Sequence, residues 1–132
     1  MASVLKVDTI TGVATAGSIA VTGEGNSTTT NLQQGLAKAR CHFTTVTTTA
    51  VNESFNVTSL TDTGTGDTDV NLTNAFVNAS IVAHFSVGGS NGDQSFIQTG
   101  TTASSIHCFN YNGNNSVHDS AFCRMSGHGE LA

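Results

Sequence analysis

The sequence predicts an all-β protein: an antiparallel, jelly-roll-like β-sandwich carried behind an extended N-terminal anchoring arm. Three observations support this expectation. Thr, Ser, Asn and Gly supply 61 of the 132 residues. Thr is β-branched and favours pleated, half-buried surfaces, while Asn and Gly favour turns. From Arg40 onward, seven short apolar or alternating runs recur at intervals of about ten residues, separated by stretches rich in Gly, Asn, Ser and Asp. Charged residues make up only 10% of the chain, against roughly 25% in an average soluble domain, so the surface is built from hydroxyls and amides.

Residues 1–31 form the arm. They contain no aromatic residue, and residues 4–10 and 18–23 read as short alternating strands. In the first, Val4, Lys6 and Asp8 face one way and Leu5, Val7 and Thr9 the other. Neither has the apolar area to fold alone, so Leu5, Val7 and Ile10 are expected to make the arm's contacts with a partner. Residues 32–39 predict a short helical linker. Asn31 is placed to cap it, Leu32, Leu36 and Ala39 have helical spacing, and Gly35 weakens it.

Residues 40–132 form the sandwich. The run 39–46 puts Cys41 and Phe43 on one face and Arg40, His42 and Thr44 on the other. Residues 54–60 predict one strand with Phe55 and Val57 inward, and residues 67–76 the next, with Val70 and Leu72 inward. Residues 80–87 are apolar without alternation, as in a strand buried on both sides. Residues 93–100, 104–113 and 119–127 complete the set. Phe43, Phe55, Val57, Val70, Leu72, Phe85 and Phe109 are the expected core.

Between the strands at 54–60 and 67–76 lies a stretch that invites other readings. Asp62-Thr63-Gly64 is the tripeptide that carries the catalytic carboxylate of aspartic proteases, and Asp62, Asp67 and Asp69 crowd three carboxylates together. A protease loop needs an apolar strand leading into the tripeptide, and Thr61 stands there. A calcium loop needs about 6–8 oxygens, usually closed by a bidentate Glu, and no Glu follows. The remaining reading is a hairpin bend, with Gly64 and Gly66 supplying positive φ and the flanking aspartates bonding the turn's N–H groups.

No catalytic constellation, cofactor motif or metal-ligand spacing is present, so the chain reads as no enzyme, with neither cofactor nor metal. Cys41, Cys108 and Cys123 alternate with apolar residues and read as small core residues. The five histidines are scattered, with no pair at i, i+2. His42 and His84 each precede a Phe and read as strand residues on an outer face or at a subunit contact. A formal charge of −5 with four basic residues argues against nucleic acid. No apolar run is long enough for a membrane helix, and the N-terminus lacks the apolar core of a secretory leader. Tyr111, in a loop with Asn112, Asn114 and Asn115, is the clearest aromatic contact residue. That loop, residues 110–119, and residues 88–93 are the candidate surfaces for a host glycan or protein.

The opening residues 1–10 and the block 32–76 resemble tail-fibre-like virion proteins of marine bacteriophages, of the cyanophage fibre type. The most specific part is the continuous run from Ser54 to Val70. Arg40 stands where the module usually has an aromatic, and Ala75-Phe76-Val77 where it usually has a proline. The chain also has no long shaft. The resemblance implies a homotrimeric virion structural protein, a short fibre or spike-like appendage held to capsid or tail proteins by its N-terminus and located on the particle. A capsid decoration protein and a receptor- or glycan-binding module are the alternatives.

Overall fold

The computed structural model describes residues 5–11, 19–22, 29–88, 94–97 and 100–132. The chain forms two units, Met1–Leu36 and Ala37–Ala132. In the first, β1 (Ala20–Thr22) pairs antiparallel with β2 (Thr29–Asn31). A single helical turn, α1 (Leu32–Gly35), follows, its first N–H donating to the Ile19 carbonyl at 2.8 Å. The helix is shorter than the linker expected over 32–39 because Gly35 ends it and Ala39 already belongs to a strand. Residues 5–11 form no strand.

The second unit is the expected all-β sandwich. Its strands are β3 (Ala39–Thr44), β4 (Ala50–Phe55), β5 (Val57–Gly64), β6 (Asp67–Leu72), β7 (Val82–Gly88), β8 (Gln94–Ile97), β9 (Ser105–Tyr111) and β10 (Phe122–His128). They form two four-stranded antiparallel sheets, ordered β4-β3-β10-β7 and β5-β6-β9-β8. Two facing layers of four antiparallel strands make an all-β sandwich. Here β3–β4 and β5–β6 are local hairpins, and the first and last strands of the unit pair with each other. The core lies between the sheets. Ala39, Cys41, Phe43, Cys123 and Met125 come from one sheet, Val70, Leu72, Ile106 and Cys108 from the other, and Phe76 from the connection after β6.

The unit has eight strands rather than seven because residues 54–60 are not one strand. The break is Asn56, at φ 58°, a left-handed conformation that Asn tolerates better than most residues. Its side-chain amide donates to the carbonyls of Lys38 (2.9 Å) and Asn74 (3.0 Å), and its Oδ1 accepts from Asn74 N–H at 2.7 Å. The chain therefore leaves one sheet at Phe55 and enters the other at Val57. This corner overturns the inward placement of Phe55, which is 55% exposed. Phe55 pairs in register with Arg40, and directly paired residues share a face, so Phe55 points outward beside Arg40.

Two further expectations change for the same reason of alternation. In β9, Ile106, Cys108 and Asn110 are buried, so Phe109 points outward, where its ring packs against Tyr111 at 5.0 Å. Strand β7 is an edge strand with one covered face: Val82, His84 and Ser86 are exposed, while Phe85 and Val87 pack partly against the core. Val57 is likewise only partly buried. Phe43, Val70 and Leu72 are buried as expected. The missing aromatic volume is supplied by Phe76, 2% exposed. Its ring is seated where Gly129 leaves no side chain: a Cβ there would come within 2.8 Å of the ring.

The stretch 59–70 is a hairpin. Strands β5 and β6 meet across Thr65-Gly66, with Gly66 at φ 69°. Asp62 accepts from Gly64 N–H at 3.1 Å, as a shoulder residue should. Asp67 does not take the matching role. The Gly66 N–H instead reaches Asp119 at 2.7 Å, from the loop before β10. Gly66 is also held by close backbone approach, since a Cβ would lie 2.6 Å from the Asn110 carbonyl.

Candidate functional site

The outer face of the β4-β3-β10-β7 sheet is the most distinctive surface among the described residues. Alternation in β3 sends Arg40 and His42 outward; in β10 it sends Phe122, Arg124, Ser126 and His128 outward. Register then sets them in rows. Arg124 lies directly opposite His42 on β3 and Ser86 on β7, while His42 pairs on its other side with Glu53 of β4. The next row is Phe55, Arg40, Ser126 and His84. Both arginines of the chain and three of its five histidines thus share one face of a protein with net charge −5.

The face holds a groove of about 520 Å³ lined by Arg40, His42, Glu53, His84, Ser86 and Arg124 among others. Arg40 is committed to Glu53, N to O 2.8 Å. Both side chains are more than half exposed, so this pair adds at most about 1 kcal/mol. Arg124 makes no ion pair among the described residues; its guanidinium sits 5.9 Å from the centre of the Phe122 ring. His42 stacks near the same ring at 6.5 Å, and its Nε2 is buried without a hydrogen-bond partner. His84 and His128 meet edge to face at 6.3 Å. The groove therefore presents a cation without an acidic partner, imidazole rings and hydroxyls, and the exposed ring of Phe122 lies on the same face outside its lining.

The outer face of the other sheet has the opposite character. Asp67 and Asp69 on β6 flank His107 on β9. His107 Nδ1 lies 2.7 Å from Asp69 Oδ1 and forms a hydrogen bond. Its Nε2 lies 3.2 Å from Asp67 Oδ1, a close approach whose geometry leaves that oxygen without a hydrogen bond. A general base needs a ring nitrogen open to substrate. Here both nitrogens face carboxylates and Gly100 packs against the ring, so the trio works as a clamp between β6 and β9. Among the described residues, no group of three or more His, Cys, Asp or Glu side chains is arranged to hold a metal ion.

The three cysteines are buried. Burial pushes the Cys41 thiol up to about 11, with Cys123 adding to the effect. Cys108 is raised further, again chiefly by burial. A nucleophile needs the thiolate, and these environments oppose it.

The loop expected to contact a host is internally organised. Asn112 Oδ1 accepts from the N–H groups of Asn114 and Ser116, and Asn115 sits at φ 60°. Asn112 thus shapes the loop, whereas Asn114 and Asn115 are exposed. Tyr111 is half-buried, bridging to Val117 and packing on Phe109. Of the other proposed loop, only Gly88 is described; residues 89–93 lie outside the described residues. In the N-terminal unit Leu5, Val7 and Ile10 are 80%, 52% and 58% exposed. No described helix is long and apolar enough to cross a membrane.

Sequence reasoning missed the groove as a unit. The alternation of Arg40 and His42 was visible, but the pairing of β3 with β10 joins residues far apart in the chain and leaves no local signal. No protein family, curated protein or solved structure matches this chain.

Proposed function

We propose that this chain is a non-enzymatic structural protein of a bacteriophage particle, a short trimeric appendage attached through its N-terminal arm. The observation that carries the reading is the exposure of Leu5, Val7 and Ile10. Three large apolar side chains on six residues of irregular backbone favour burial against another surface, and the particle or a second copy would provide it. Two further features support the reading. Strand β4 is an edge strand exposed along its whole length, and β5 is the adjoining edge of the other sheet; such edges are suited to coverage in an oligomer. The buried thiols and the clamped His107 also favour packing over catalysis.

The test is incorporation into particles. The combined variant Leu5→Ser, Val7→Ser and Ile10→Ser is expected to keep the melting temperature of the sandwich and to vanish from purified particles. Its retention at the wild-type level would overturn the anchoring role. Light scattering on the purified protein is expected to give the mass of three chains.

The groove on the outer sheet face favours a second role within the same protein, recognition of a host surface. A capsid decoration protein would share the anchoring behaviour and would not require that face.

A further inference from the structure

The geometry points to the outer face of the β4-β3-β10-β7 sheet as a binding site for an acidic polysaccharide whose repeat carries a carboxylate beside several hydroxyls. This inference extends the surface-recognition role above and rests on it for its setting, while its chemistry stands on the face alone.

The charge is placed for it. Arg124 is at the centre of the face, with no carboxylate partner among the described residues. Its planar fork matches a carboxylate in two parallel hydrogen bonds. His42 lies opposite it, and its Nε2 is buried and unpartnered. That nitrogen is closed off from the face, so a ligand carboxylate meets Arg124, and the His42 ring bounds the site on the β3 side. Glu53 stands on the far side of His42 and is held by Arg40. It repels an anion from the β4 edge and so directs the carboxylate toward β10.

The rest of the face suits a saccharide better than a peptide. Within a sheet, the backbone donors and acceptors of β3 and β10 are already spent on neighbouring strands, so a peptide cannot add itself as a strand there. What remains is guanidinium, imidazole, the hydroxyls of Ser86 and Ser126, and the half-exposed ring of Phe122. Hydroxyls and charged donors serve sugar oxygens, and a ring face serves the C–H side of a pyranose. The groove volume of about 520 Å³ falls in the range of ligand sites, roughly 300–1,000 Å³. Four strands at a spacing of about 4.8 Å give a row long enough for a short oligosaccharide.

The experiment is calorimetric titration of the full chain with oligogalacturonate, its fully methyl-esterified form and poly-glutamate as probes. Oligogalacturonate is expected to bind, with affinity falling as salt rises. The neutral ester is expected to give no measurable binding, and poly-glutamate to bind at least about tenfold more weakly. Arg124→Gln is expected to weaken oligogalacturonate binding by at least about tenfold. Glu53→Gln is expected to strengthen it, because it removes a like charge and releases Arg40. Both positions are exposed, and an unchanged circular-dichroism melt verifies the fold. Absence of binding by the wild-type chain, equal affinity for the ester, or indifference to Arg124→Gln would overturn the site. Poly-glutamate binding as tightly as the saccharide would overturn the ligand class in favour of an acidic protein. The titration needs no particle, so its failure is distinct from a failure of the N-terminal anchor, and either can occur alone.

Discussion

Phe55 and Phe76 illustrate how residue identity and residue role part company. Both are phenylalanines beside strands, yet one is half exposed and the other is sealed between the sheets. Phe76→Ala is expected to cost about 3–5 kcal/mol, the usual penalty for emptying a buried aromatic site. Phe55→Ala should change stability by no more than about 0.5 kcal/mol, as for most surface substitutions. Urea denaturation of both variants checks the assignment. The thiols give a pH prediction. Cys41 in the folded state holds its proton up to about 11, whereas an exposed thiol releases it near the ordinary value of 9.0. The folded state therefore binds more protons than the unfolded state above that ordinary value. Its stability must fall as pH rises through that window, by at most about 1.4 kcal/mol per pH unit for this one group. Cys41→Ala should flatten that part of the stability–pH curve. The buried positions were legible in the sequence because Cys41, Cys108 and Cys123 each alternate with apolar neighbours. The role of Phe76 was only half legible: the run 67–76 puts it in step with Val70 and Leu72, but β6 ends at Leu72 and the seat of the Phe76 ring is made by Gly129, a residue from the far end of the chain.

At the scale of elements, the corner at Asn56 decides how the strands are shared between sheets. A residue at positive φ whose side chain donates twice and accepts from a backbone N–H carries the chain from one sheet into the other. Asn56→Gly keeps the conformation and loses the side-chain bonds, whereas Asn56→Ala loses both. Asn56→Ala is thus expected to be less stable than Asn56→Gly by about 1 kcal/mol, the left-handed penalty of a Cβ. Equal unfolding midpoints would show that the bonds alone matter. The hairpin at 59–70 was readable, with its two glycines and its Asp62 shoulder. The partner of Gly66 was not, since Asp119 reaches it from a different loop. The corner itself was hidden, because Phe55-Asn56-Val57 keeps the alternation of one continuous strand while the backbone turns between sheets.

At the scale of the whole molecule, the unit Ala37–Ala132 contains all ten residues of the core cluster. A protein limited to residues 37–132 is therefore expected to fold with a melting temperature within a few degrees of the full chain, measured by circular dichroism. A loss of cooperative unfolding would show that the first 36 residues take part in the fold. The sequence by itself determined the β class, the spacing of the turns, the burial of the cysteines and the outward direction of Arg40 and His42. These follow from β-branching, turn chemistry and the two-residue period of a strand, all of which act locally. Only the tertiary structure decided which strands are neighbours, and with them the row that sets Arg124 beside His42. Strand pairing is chosen by the total apolar area that two sheets bury together, and no local pattern encodes that sum.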